Sequence, residues 1–169
     1  MPDIRSIYIE RNDCSNCYRC VRECGVKAIS ITPERVLIDY GKCIGCGACI
    51  SMCKPGVVKL RNDIHIARTL IKKNEVKIAS VSPQWVTEFE GIDAPKFIEA
   101  LRLLGFDHVS ESALAASQTM KQEEEYLKGN GGIGISARCP SVVDYIQKHR
   151  PRLKLLLLSV ASPMVVHAR

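Results

Sequence analysis

The sequence predicts two domains of different class: a small α+β module over residues 1–63 and a partial α/β domain with a mainly parallel sheet over residues 64–169. Eight of the nine cysteines fall in the first of these, in two runs of the same spacing, Cys14, Cys17, Cys20, Cys24 and Cys43, Cys46, Cys49, Cys53. Short β-branched segments lie around and between the runs, which is a hairpin signal. From Ile64 on, strand-like and helix-like patterns alternate, and alternation of that kind argues for parallel strands joined by crossover helices.

Each cysteine run reads C-x-x-C-x-x-C-x-x-x-C, the bacterial pattern for a 4Fe–4S cubane. Three thiolates two residues apart can wrap three corners of such a cluster. The fourth follows where the chain turns into a short helix and points away. Ile29–Ile31 and Val36–Ile38 form the expected hairpin, with Thr32-Pro33-Glu34-Arg35 as its turn, and Ile7–Ile9 and Val57–Leu60 are the expected outer strands. Gly45 and Gly47 let the backbone approach the second cluster. Ile29, Ile44, Ile50 and Val57 supply an apolar shell. Disulfides would need an oxidising compartment, and the start Met-Pro-Asp-Ile-Arg has no apolar signal region. Zinc favours four-ligand sites built from C-x-x-C pairs, which the triplet with an outlying fourth cysteine fits poorly.

Over its whole length this first segment resembles a bacterial-type two-cluster ferredoxin. The resemblance implies the ferredoxin-type α+β fold and a crossed ligand set, because in that family the fourth cysteine serves the other cluster. It assigns cluster I to Cys14, Cys17, Cys20 and Cys53, and cluster II to Cys43, Cys46, Cys49 and Cys24. The family places Pro directly after the fourth cysteine. Here Gly25 follows Cys24 and Lys54 precedes Pro55, so the local turn differs while the ligands are untouched. A module this small cannot rely on an apolar core alone, and the clusters act as its staples.

The formal charge is +6. Residues 1–63 contribute ten Lys/Arg against seven Asp/Glu. Two clusters at roughly −2 each remove most of the excess. The basic residues are scattered and no groove-reading motif is present, so no nucleic-acid partner is expected. Lys72-Lys73 and His149–Lys154 read as solvated faces. The longest apolar run, Leu155–Leu158 extended through Ala161, is far short of the ~20 residues a membrane span needs. No membrane partner follows, and the cytoplasm is the expected location.

The second segment reads as helix Ile64–Lys73, strand Val76–Val81, helix Ala94–Leu104 stopped by Gly105, strand Phe106–Val109, helix Ser112–Lys128 ended by Gly129, strand Ile133–Ser136, helix Pro140–His149 and a buried last strand Leu153–Val160. Gly129–Gly134 spells G-x-G-x-x-G. It follows a helix and opens a strand, the reverse of a dinucleotide fingerprint, so no NAD or FAD site is expected. Cys139 stands at a strand-to-helix junction before Pro140, where a helix N-terminus and Arg138 would both favour thiolate. His65, His108, His149 and His167 form no ligand-spaced pair and read as surface or interface residues.

In order along this segment stand Ala79-Ser80-Val81-Ser82-Pro83, Leu104-Gly105-Phe106-Asp107-His108-Val109, the helix Ala115–Leu127, Arg138-Cys139-Pro140 and Ser162-Pro163-Met164. Together they resemble the start of the FeFe-hydrogenase large-subunit domain. The resemblance places Cys139 on a cysteine that ligates the family's H-cluster, which makes it a candidate vestigial ligand. Arg138 falls on the proton-relaying cysteine, and arginine cannot cycle a proton. Val142 replaces a tryptophan, Gln122 replaces one of two acidic residues and Glu123 retains the other. The family's remaining H-cluster motifs are not among these residues, which points to a truncated chain or a fragment. No catalytic residue is assigned.

Three readings stay open. The chain is an electron-transfer protein with two 4Fe–4S clusters, serving a redox partner protein. It is the N-terminal portion of a hydrogenase that needs its missing C-terminal part. Or it belongs to a sensory branch that reports redox state or hydrogen to a signalling partner.

Overall fold

The computed structural model describes residues 6–10, 14–32, 35–73, 76–129 and 131–169. The expected turn at Pro33-Glu34, the start Met1–Arg5 and Asn130 of the glycine-rich run lie outside the described residues. The architecture is mixed α/β with a small parallel sheet. Two compact units are present. The first is Met1–Asn62 with Cys139–Leu157, and the second is Asp63–Arg138 with Leu158–Arg169.

In the first unit, β1 (Ile7–Ile9) pairs antiparallel with β4 (Val58–Leu60), Ile7 facing Leu60. Strands β2 (Ile29–Ile31) and β3 (Val36–Ile38) form a second antiparallel pair, Ile29 facing Ile38. Between the pairs lie two five-residue helices, α1 (Arg19–Glu23) and α2 (Ala48–Met52). Strands and helices this short have no stability of their own. Their core is Ile7, Ile29, Val36 and Val58 together with Cys20 and Cys49, flanked by Cys24 and Cys53. Two of the sequence-predicted ligands are therefore core residues, and two more pack against the core. The Tyr40 hydroxyl donates to the Ile7 carbonyl (3.0 Å) and ties the second cysteine loop to β1.

The backbone repeats with the cysteines. Asn16, Tyr18 and Lys27 have positive φ, and so do Gly45, Gly47 and Gly56, each at the same distance from its run as its counterpart. The second loop meets this demand with glycine throughout. The first meets it with side-chain-bearing residues, which strain the backbone there. Helix α7 (Pro140–His149) and a 3₁₀ turn, Pro151–Leu156, complete the unit.

The second unit is built on β5 (Ile78–Val81) and β6 (His108–Glu111), a parallel pair with Ile78 facing His108. The crossover runs through α4 (Trp85–Glu88) and α5 (Ala94–Leu103). Asp93 caps α5 by accepting from the Lys96 N–H (3.2 Å). Gly105 ends it at φ +105°, as its position predicts. The Asp107 carboxylate accepts the Lys77 N–H (2.8 Å) and pairs with the Lys77 ammonium (3.2 Å), which hold it below the usual carboxylate range. Helix α3 (Ile64–Lys73) precedes the sheet. Helix α6 (Ala113–Gly129) buries Ala115, Thr119 and Glu123, one residue per turn on one face, and packs with α8 (Pro163–His167). The His167 ring joins Ser80 and Ser110 on the two strands (2.6 and 2.8 Å).

Two expected strands are absent. Leu153–Val160 is a 3₁₀ turn through Leu156, with Leu155 95% exposed. Pro151 presets the turn, and a run apolar on both sides needs cover on both faces to persist as a strand, which a two-stranded sheet does not give. Ile133–Ser136 makes only an isolated bridge, in which the Ile135 carbonyl accepts the Leu158 N–H (2.9 Å). The glycines before it explain this: Gly131 and Gly132 have positive φ, and the Gly132 N–H folds back onto the Leu127 carbonyl (2.8 Å) to close α6. The parallel sheet is accordingly smaller than the sequence predicts.

Candidate functional site

Each short helix carries two cysteines that face different ways. In α1, Cys20 is buried within the helix and Cys24 is its C-cap, with the Cys24 N–H on the Cys20 carbonyl (3.1 Å). In α2, Cys49 is buried and Cys53 is the C-cap. After both caps the chain turns alike: the Lys27 N–H bonds the Cys24 carbonyl and the Gly56 N–H bonds the Cys53 carbonyl, each at 3.0 Å.

The eight cysteines divide between two clefts open to solvent. One is lined by Cys14, Cys17, Cys20 and Cys53, the other by Cys24, Cys43, Cys46 and Cys49. The fourth cysteine of each run thus lines the cavity of the other run. The remaining walls are largely apolar, with Ile31, Val36, Val57 and Val58 in the first and Ile7, Ile29, Ile38 and Ile44 in the second.

The electrostatics divide the same way. Burial pushes the Cys20 thiol up, and the sulfurs of Cys53, Cys14 and Cys17 push in the same direction. Burial raises Cys49 to about 11, with Cys43, Cys46 and Cys24 adding to it. Cys17, at the surface, is lowered chiefly by the Arg19 backbone N–H. Backbone N–H groups also reach sulfur in the second set, from Ala28 to Cys24 Sγ (3.2 Å) and from Gly45 to Cys43 Sγ (3.5 Å). A buried thiol with thiol neighbours resists ionising in the bare protein. A coordinated cation reverses that preference outright.

Among the described residues, no three His, Cys, Asp or Glu side chains gather closely enough to hold one metal ion. A tetrahedral zinc with Zn–S bonds of about 2.3 Å would bring its sulfurs to about 3.8 Å from one another. The thiols instead surround a chamber, an arrangement suited to a polynuclear centre.

Cys139 lies apart from both sets. It is the exposed N-cap of α7 with no side-chain capping bond, and residues 136–138 before it are not a strand. In the second unit, Glu123 is only 6% exposed and engages Arg138 through both oxygens, Nη2 to Oε2 at 2.6 Å and Nε to Oε1 at 3.1 Å. The Ser136 hydroxyl donates to the same Oε1 (2.6 Å). The arginine expected to act on Cys139 is thus committed to a carboxylate.

Two residues escape a reading of the sequence. The Lys148 ammonium donates to the Cys43 carbonyl (2.6 Å), and the His149 ring Nε2 lies 2.8 Å from the Lys42 carbonyl. His149 is therefore not simply part of a solvated face. Nothing local could reveal these contacts, which span more than a hundred residues of chain.

Residues 6–54 match the family model of the 4Fe-4S dicluster domain, and residues 71–169 match that of the iron only hydrogenase large subunit, C-terminal domain. The chain is 26% identical to the NADP-reducing hydrogenase subunit HndD of Solidesulfovibrio fructosivorans, over 94% of this chain and 33% of that protein. It is 25% identical to the cytosolic Fe-S cluster assembly factor NAR1 of Yarrowia lipolytica, over 85% of this chain and 33% of that one. Its first part is 40% identical to a subunit of the ion-translocating oxidoreductase complex of Methanosarcina acetivorans, over 28% of this chain and 18% of that protein. The chain spans about a third of the length of the first two. It carries an iron–sulfur electron-transfer module ahead of a hydrogenase-like domain. No helix among the described residues is long and apolar enough to cross a membrane.

Removing the Arg138 side chain should expose the cost of the buried carboxylate. Arg138→Met leaves Glu123 with Ser136 alone, and a buried charge that loses its partner costs several kcal/mol. Arg138 is more than a third exposed, so solvent screening reduces the expected loss to about 1–3 kcal/mol. Thermal unfolding should show a lower Tm, with Arg138→Lys intermediate; an unchanged Tm would show that the pair contributes nothing.

Proposed function

We propose that this chain, which belongs to the iron-only hydrogenase large-subunit family, is an electron-transfer protein that binds two 4Fe–4S clusters with crossed ligands. Cys14, Cys17, Cys20 and Cys53 hold cluster I, and Cys43, Cys46, Cys49 and Cys24 hold cluster II. The supporting observation is the exchange of the fourth cysteine between the two cavities. The bound clusters supply single-electron carriage. The residues do the rest. The isoleucine and valine walls limit water, the N–H groups of Ala28 and Gly45 bear on sulfur in the second set, and the two antiparallel strand pairs hold the loops in a ferredoxin-type fold. An external redox protein delivers or takes the electrons, and a cytoplasmic setting keeps the thiols reduced.

After anaerobic reconstitution this reading expects about eight irons per chain, with the EPR of two coupled centres. Cys24→Ser should perturb the cluster of Cys43, Cys46 and Cys49 and spare the other. About four irons, zinc in their place, or damage to the cluster of Cys14, Cys17 and Cys20 would count against it.

The hydrogenase-like domain, in this reading, does not turn over hydrogen within this chain. Cys139 is the sole cysteine beyond the two runs. Arg138, at the position where the family resemblance places a proton relay, cannot release a proton and is held by Glu123. A hydrogen-evolution assay with reduced methyl viologen, on protein co-expressed with the H-cluster maturation machinery, should match a Cys139→Ala control. Turnover above that control would make the chain a minimal hydrogenase.

A further inference from the structure

The last turn of α7 grips the segment that enters Cys43. Lys148 Nζ donates to the Cys43 carbonyl at 2.6 Å and reaches the Tyr40 carbonyl at 3.5 Å, while His149 Nε2 lies 2.8 Å from the Lys42 carbonyl. All of these residues belong to the first unit. The Cys43 carbonyl and the Cys43 sulfur are parts of one residue. Ordinary bond lengths therefore place the ammonium within about 7 Å of that sulfur. The Lys148 side chain is 29% exposed and its contacts lie at the surface, so solvent and salt screen part of its charge. Asp144 Oδ2 lies 2.7 Å from the same ammonium and opposes its field. The first cysteine set has its own cation, Arg22, which lies within its run between Cys20 and Cys24 and whose Nη1 donates to the Cys17 carbonyl at 3.3 Å in an exposed position.

We infer that Lys148 positions the Cys43 segment and sets the reduction potential of the centre held by Cys24, Cys43, Cys46 and Cys49. The inference rests on the reading that this set holds a 4Fe–4S cluster. Reduction there adds one electron from an external one-electron donor, with no bond made or broken. The added negative charge is stabilised by a fixed cation at short range and destabilised by a fixed anion. Lys148 therefore favours the reduced form and Asp144 disfavours it. The lysine comes from the hydrogenase-like part of the sequence, so that part acts on the potential of the cluster module.

The test is a potentiometric EPR titration of the reconstituted full-length protein, with dithionite as reductant. Cys43→Ser, which alters the spectrum of the centre it ligates, identifies that centre's signal. Lys148→Met should lower its equilibrium constant for reduction about tenfold, which is about 59 mV for a one-electron couple, and leave the other centre unmoved. Lys148→Arg should stay within about threefold of the unmodified protein, since the charge and the donor are kept. Asp144→Asn should shift the same centre in the opposite direction. If Lys148→Met fails to retain iron, the sign of the Asp144→Asn shift decides: upward supports the inference, and no shift overturns it. Two intact centres whose potentials ignore both Lys148→Met and Asp144→Asn overturn the inference and leave the cluster reading standing. Unmodified protein that never takes up two clusters overturns both.

Discussion

Each of the two short helices in the first unit ends on a cysteine that lines the cavity of the other helix. That exchange is the constraint on which the unit depends. Three-residue strands and five-residue helices make few hydrogen bonds each, and the apolar side chains between them are few. Much of the remaining interior is sulfur. A group that joins three cysteines of one run to the fourth of the other closes chain loops in both directions at once. Linking distant residues in this way restricts the unfolded chain and stabilises the folded one. The matched positive-φ positions fit the same demand. They recur at the same offsets in both cysteine segments, and the first segment adopts them with Asn16, Tyr18 and Lys27 in spite of their side chains.

The second unit is organised around a polar tie. Thr119 is fully buried and satisfied by the Ala115 carbonyl, and one turn further on Glu123 meets Ser136 and Arg138. The carboxylate fastens the irregular segment after α6 to the helix itself. The expected parallel strands are missing from this region, so side-chain bonds take the place of a ladder. The family membership and this tie together describe a hydrogenase-like domain in which the Arg138–Glu123 ion pair fastens the segment before α7.

The cysteine module is legible in the sequence because its signals are local. Spacing within each run gathers its first three sulfurs, whereas the exchange of the fourth is carried by the family resemblance and not by spacing, and the β-branched triplets around the runs form β1 to β4 within a residue of the expected bounds. In the second half, caps and stops are equally local: Asp93, Gly105 and the glycines after α6 act within one turn of the helices they bound. Illegible are the elements whose fate depends on what covers them. Leu153–Val160 has the composition of a buried strand, yet only Leu158 is buried and Leu155 faces solvent. His149 has the composition of a surface residue, yet its ring meets a carbonyl 107 positions away. Arg138 adjoins Cys139 in sequence, whereas its guanidinium is directed to a carboxylate 15 residues upstream.

The claim that the clusters hold the first unit together is most directly tested by hydrogen exchange before and after anaerobic iron removal. The account predicts that the amides of Ile7–Ile9, Ile29–Ile31, Val36–Ile38 and Val58–Leu60 lose protection together when the iron is chelated. Those of Ile78–Val81 and His108–Glu111, in the other unit, should keep theirs. Protection of the first four strands that survives complete iron removal would contradict it.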